Sequence, residues 1–232
     1  MSPEARADLI IDVLSREFGD LMAQDPAAFR RKFRKMASDP FDFYRGSAPL
    51  FYHDIDRVDD RWADERTSRV WIQGDLHAGN YGTYMDAEGV LVFDVNDFDE
   101  AYLGHFTWDL ERMAASLALL GFSKAFPDAK IREMVDTYAR AYLDQVRAFA
   151  GTERDEDFRL TLDNTEGAVH DVLVTGREGT RVSLLDSLTH IEEGERRSRS
   201  RPGTASSSST STCEWATRSR RTWRRSPRRS AR

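Results

Sequence analysis

The residues Gly74-Asp75-Leu76-His77-Ala78-Gly79-Asn80, followed seventeen positions after Asn80 by Asp97-Phe98-Asp99, carry the side chains with the most chemical potential in this chain. Phosphoryl transfer needs a carboxylate that orients an attacking hydroxyl, and oxygen ligands that hold a divalent cation on the phosphates. Asp75 and Asn80 stand five residues apart, the D-x-x-x-x-N spacing of such a loop. Asp97 follows two short apolar runs joined by a turn, where a second metal-binding carboxylate belongs. On this pattern Asp75 is the expected catalytic residue, with Asn80 and Asp97 as ligands of Mg²⁺ or Mn²⁺, hard cations that prefer oxygen.

The surrounding elements must bring these groups together. Val70-Trp71-Ile72 reads as a short strand ending at Gly74, where the backbone can turn sharply. Tyr81 to Tyr84 and Val90 to Phe93 read as two strands joined through Asp86, Glu88 and Gly89, a hairpin that would place Asn80 and Asp97 at one edge. Asp109 is expected to cap a helix whose apolar stripe is Met113, Leu117 and Leu120, and its carboxylate could hold backbone N–H groups of the catalytic loop. Arg45, in Phe43-Tyr44-Arg45-Gly46-Ser47, pairs a guanidinium suited to phosphate with aromatic flanks; a structural ion pair is the competing use.

The GDLHAGN segment resembles the GDxHxxN loop of the aminoglycoside-phosphotransferase-like branch of the protein-kinase superfamily. The longer string Phe41 to Gly46, Trp71 to Gly82, Val92 to Ala101 and Trp108-Asp109-Leu110 is similar to the uncharacterised bacterial family DUF2252, from about Met22 to about Arg197. The resemblance implies an α+β, kinase-like catalytic lobe, mainly helical with a small β-hairpin. It also implies ATP or another nucleoside triphosphate with Mg²⁺ as cofactors, an unknown hydroxyl acceptor, and Asp109 beneath the site. In that branch the loop histidine is mostly structural, so His77 is expected to shape the loop. The resemblance further implies a nucleotide-binding lobe, with a glycine-rich stretch and a lysine, placed after the catalytic loop. Lys124 and Lys130 are the last lysines here, and Gly176 and Gly179 read better as a turn between the strands Val172 to Val174 and Val182 to Leu185. The expected chain is therefore truncated or frame-shifted, with an incomplete nucleotide-binding lobe.

Two other function classes stay open. Asp75-Leu76-His77 is also the D-x-H opening of two-metal phosphoesterases, although His53, His105, His170 and His190 are scattered rather than clustered. A degenerate kinase-like module that binds without catalysing is the other.

Length and composition bound the rest. The 232 residues carry a formal charge of −6, no long apolar run, and a single cysteine, Cys213, which excludes an internal disulfide. A cytoplasmic bacterial protein without a membrane anchor is the expectation. The charge is divided: Arg196 to Arg232 holds 12 Arg against one acid, Glu214, and the remainder holds 22 basic and 39 acidic residues. For this Arg/Ser-rich tail three readings remain: a slipped reading frame near Ser198, a disordered tail, or a nucleic-acid-binding segment using Trp215 and Trp223, the least favoured. The expected organisation is a helical segment over 1–60, a catalytic core over 61–195, and the tail over 196–232. Within the first part, Ser2-Pro3 and Asp25-Pro26 open two amphipathic helices, the second with Arg30, Arg31, Lys32, Arg34 and Lys35 outward as a solvated face, a patch for phosphate-rich ligands being the lesser reading. Residues 129–150 should form a core-facing helix.

Overall fold

The computed structural model describes residues 1–152, 154–179, 185–186, 188–192 and 195–198. The chain divides into two compact units, Met1–Val174 and Thr175–Arg232. The class is α+β and mostly helical, with seven helices and small antiparallel sheets among the described residues.

The first four helices are α1 (Pro3–Gln24), α2 (Pro26–Ser38), α3 (Pro40–Gly46) and α4 (Ala48–Ile55). Their starts follow from capping chemistry. Ser2, Asp25 and Asp39 each accept a backbone N–H of the first turn, and each is followed by a proline whose missing N–H is not needed there. Asp25 serves twice: its own N–H bonds Leu21 of α1 at 3.0 Å while its carboxylate accepts Ala28 N–H of α2 at 2.9 Å, so the helices join with no intervening loop. Met36 of α2 packs so closely on Gly46 that a Cβ there would lie 2.7 Å from the Met36 side chain. A two-pronged Arg6 to Asp54 ion pair, at 2.8 and 2.5 Å, ties α1 to α4.

The strands are β1 (Val70–Ile72), β2 (Tyr81–Met85), β3 (Leu91–Val95) and β4 (Tyr102–Gly104). Strands β2 and β3 form the hairpin, with Tyr81 opposite Val95 and Met85 opposite Leu91. Its turn is fixed by Asp86, whose carboxylate accepts the N–H groups of Glu88 and Val90, and by Gly89 at φ +78°. Strand β1 pairs with β4, Val70 opposite Gly104. Helices α5 (Phe106–Ser123) and α6 (Asp128–Phe149) follow and pack on one another, and α7 is Gly167–Glu178. In the second unit β5 (Thr189–Glu192) pairs with β6 (Glu195–Ser198). The core of the first unit runs through Val13, Leu14, Phe29, Met36, Leu50, Ile72, Leu76, Val92, Met113 and Leu173.

Three expectations change. Residues Val172 to Val174 and Gly176 are helical, inside α7, so no strand precedes Gly179; residues 182–184 of the supposed partner lie outside the described residues. The β-branched run favoured a strand, but Leu173 is fully buried on one helical face, and burial overrides a weak local propensity. Helix α6 occupies the expected span yet buries none of its residues fully; Tyr142, Leu143 and Val146 are largely exposed. Asp109 is not the N-cap of α5. His105 caps it, and Asp109 lies in the first turn. Cys213, Trp215, Trp223 and all but three residues of the Arg/Ser-rich tail lie outside the described residues.

Candidate active site

Strand β1 ends at Ile72, and the chain turns through Gln73 and Gly74 into the loop. Gly74 sits at φ +88°, and a Cβ there would collide with the Glu100 backbone, so glycine is required on two counts. The turn is held from below by α5. The Asp109 carboxylate accepts Gln73 N–H at 2.6 Å and Gly74 N–H at 3.0 Å. Burial pushes the Asp109 carboxyl up, while these two N–H bonds and Arg112 act the other way. Tyr52 of α4 donates its hydroxyl to the Gly74 carbonyl.

Asp75 follows, and its partner was not foreseen. Arg112, three residues beyond Asp109 on α5, is completely buried and donates Nε to Asp75 Oδ1 at 2.6 Å, with Nη2 bound to the same oxygen. Nη2 also donates to the Tyr44 carbonyl at 3.1 Å, and the guanidinium lies 4.4 Å from the Tyr44 ring centroid and 5.1 Å from that of Phe51. Its Nη1 is buried without a hydrogen-bond partner among the described residues. Burial pushes the Asp75 carboxyl up to about 6 against the pull of Arg112, and the charges of Glu100 and Asp97 add to that push.

His77 is buried, and its Nδ1 accepts Gly79 N–H at 3.1 Å, which assigns the proton of the neutral ring to Nε2. Nε2 is 3.8 Å from Asp75 Oδ2. Burial, with the positive charges of Arg45 and Arg112, pushes His77 down to about 4. The ring caps the single 3₁₀ turn Ala78–Asn80, and Ser116 Oγ of α5 accepts Ala78 N–H at 3.1 Å. A buried Arg112 on Asp75 opposes a cation shared by Asp75 and His77, as a two-metal phosphoesterase would need.

Asn80 is buried at the end of the 3₁₀ turn, immediately before β2. Its Nδ2 donates to the Asp75 carbonyl at 3.1 Å, and its own carbonyl accepts Asn96 N–H at 2.8 Å, which places the Asn80 end of the loop beside the residue preceding Asp97. Gln73 closes the arrangement: its Oε1 accepts Asp75 N–H at 2.7 Å and its Nε2 donates to the Asp97 carbonyl at 2.7 Å. Asp97 is exposed and holds φ +63°, a left-handed conformation uncommon for a residue with a Cβ. Arg45 ends α3 with its guanidinium exposed; a Cβ placed on Gly79 would lie 3.5 Å from its Cζ. It forms no ion pair among the described residues and lies 5.9 Å from the Phe41 ring centroid.

The six sequence-derived residues therefore gather around one loop: Asp75, His77 and Asn80 within it, Asp109 beneath, Asp97 linked through Gln73, and Arg45 over Gly79. Gln73, Arg112 and Ser116 were missed. A signal existed for two of them, since Arg112 and Ser116 interrupt the apolar stripe of α5 at helical spacing from Asp109. Gln73 carried none.

A short β-sheet feeding a loop that is bound to the first turns of a buried helix defines an α+β protein with a polar, loop-centred site. The model of the family described as "Uncharacterized protein conserved in bacteria (DUF2252)" matches residues 24–231, a span that includes all six site residues and reaches into the Arg/Ser-rich tail. The chain belongs to that family. No curated protein and no solved structure matches it. No helix among the described residues is long and apolar enough to cross a membrane.

Proposed function

We propose that this protein is a kinase-like phosphotransferase that uses a nucleoside triphosphate with Mg²⁺ or Mn²⁺ and an unidentified hydroxyl acceptor. The observation that carries the reading is the direct wiring of the loop: Asn80 Nδ2 on the Asp75 carbonyl, and Gln73 bridging Asp75 N–H to the Asp97 carbonyl. A motif of spacing alone would not require Asp75, Asn80 and Asp97 to share hydrogen-bond partners.

The donor set suits a hard cation. Asn80 and Asp97 offer an amide oxygen and a carboxylate, and no group of three His, Cys, Asp or Glu that could form an all-protein cage occurs among the described residues. Mg²⁺ is commonly held by one or two protein oxygens together with substrate phosphates and water. Bound there, the cation would offset negative charge on the transferring phosphoryl group. Asp75 orients the acceptor hydroxyl and takes its proton as the new O–P bond forms; the bond to the leaving diphosphate breaks, and that diphosphate carries away the electron pair. Asp109 and Gln73 keep the loop backbone fixed, so positioning precedes reaction.

One observation favours a second reading. Oδ1 of Asp75 is committed to a buried Arg112, which lowers its availability as a base and fits a binding module that retains the loop without turning over. Differential scanning fluorimetry with MgCl₂ or MnCl₂ tests the metal site, because a ligand of the native state alone raises Tm. Wild type should show a rise that Asp97→Asn abolishes. An equal rise in that variant removes Asp97 from the site. Phosphate release or transfer from ATP that disappears in Asp75→Ala supports the enzyme; metal-dependent ATP binding without turnover supports the module.

A further inference from the structure

Helix α2 presents five cations, and four of them, Arg30, Arg31, Arg34 and Lys35, are exposed as a solvated face should be. Lys35 is further engaged with Asp42 at 3.4 Å. Lys32 differs. It is half-buried, and its Nζ lies 4.1 Å from the ring centroid of Phe18 and 5.8 Å from that of Phe29. It forms no ion pair among the described residues. Its position is set by packing: Met36, one turn further along α2, abuts Gly46, the neighbour of Arg45. Residues four apart share a helix face, so Lys32 stands on the face of α2 that meets α3. The carboxylates that act on it electrostatically are Asp75 of the loop and Glu100, whose backbone abuts Gly74.

Partial burial of an ammonium group is unfavourable, and here burial does push Lys32 below the ordinary lysine range. A solvated lysine would avoid that penalty by extending into water. Two cations without an ion pair among the described residues, Lys32 and Arg45, thus stand on the adjacent helices α2 and α3: an ammonium over the Phe18 ring within the electrostatic reach of Asp75 and Glu100, and a guanidinium beside Gly79 of the loop. Such a pair suits an anion with several oxygens spread over a few ångströms.

We propose that Lys32 and Arg45 form a clamp for the polyphosphate of the nucleotide, supplied by α2 and α3 ahead of the catalytic loop. This rests on the phosphotransferase reading and deepens it: Asn80 and Asp97 hold the cation, and Lys32 and Arg45 hold phosphate oxygens. In this reading the clamp precedes the loop in the chain, on α2 and α3. Charge alternation across the site, with acids on the metal side and bases on the phosphate side, is the electrostatic arrangement a metal-polyphosphate complex requires.

The test is isothermal titration of the full chain with inorganic tripolyphosphate without metal, and with ATP in excess MgCl₂. Lys32→Met should weaken both by about tenfold, the loss of one charge-assisted contact. Lys32→Arg should retain most of the affinity, and Arg45→Gln should lose a similar factor. Tm of each variant, read without ligand, separates packing from recognition; Lys32→Arg keeps the aromatic contacts and the charge, so it reports even if Lys32→Met is destabilised. Unchanged tripolyphosphate affinity in both Lys32→Met and Arg45→Gln overturns the clamp while leaving the phosphotransferase reading intact. Failure of wild type to bind either ligand overturns both.

Discussion

Asp75 and His77 are displaced in opposite directions by the same burial, and the consequence is a cancellation that a single substitution should expose. His77 sits at about 4 when folded, against an ordinary value of about 6.5. Its neutral form is favoured in the native state, so its stability contribution is present above pH 6.5 and is lost as pH falls toward 4. Integrating that difference gives a loss of about 3 kcal/mol between pH 7 and pH 4. Asp75 sits at about 6 against an ordinary value near 3.8. Its protonated form is favoured in the native state, so its contribution is present at low pH and is lost as pH rises through 6. The same integration gives a gain of about 2 kcal/mol on going from pH 7 to pH 4. In wild type the two contributions largely offset one another over that interval. His77→Asn keeps an acceptor for Gly79 N–H but cannot titrate. Urea denaturation at pH 7, 5.5 and 4 should therefore show the variant gaining about 3 kcal/mol relative to wild type as pH falls. Asp75→Asn should move the other way, losing about 2 kcal/mol relative to wild type over the same range. Taking each variant as a difference from wild type removes the titrations common to both. Parallel profiles for wild type and His77→Asn would show that the ring is solvated or already charged, and the burial argument would be wrong.

Two further substitutions probe the scaffold. Arg112→Met should cost about 3 kcal/mol in chemical denaturation, because it strands a partly buried carboxylate and removes a fully buried side chain, and a large part should return in the Arg112→Met/Asp75→Asn double variant; additive losses would break the pairing argument. Gly74→Ala combines a left-handed backbone with a collision against Glu100, and should destabilise by more than 1 kcal/mol while broadening or abolishing metal-dependent stabilisation, read by fluorimetry; a neutral effect would mean that the loop backbone is free to shift.

Local rules made much of this fold legible. Ser2-Pro3, Asp25-Pro26 and Asp39-Pro40 each combine a capping acceptor with a residue that needs no N–H, so three helix starts are written within a few residues each. The β2–β3 hairpin is equally local, since Asp86 and Gly89 determine its turn and the apolar runs on either side its register. The loop motif is local too: five residues from Asp75 to Asn80 and one hairpin to Asp97 give an order and spacing that the chain can state by itself. At residues 172–174 the local signal misled, because β-branched content suggested a strand where the burial of Leu173 favours a helix.

What the tertiary structure decided is who meets the loop. Arg112 is 37 positions from Asp75, and Tyr44 and Arg112 are 68 apart, so their contacts depend on how α3, β1 and α5 pack and leave no short-range pattern. Lys32 carries the same charge as its four neighbours, and what sets it apart is the packing of α2, with Met36 against Gly46 and the ammonium over the Phe18 ring. The environment that raises Asp75 and lowers His77 likewise belongs to no segment: it is produced when α5 closes beneath the loop and shields His77 almost fully and Asp75 in part from water. Capping, turns and spacing act over a few residues and can be read in order along the chain, whereas desolvation and charge pairing act through space and exist only once the helices have met.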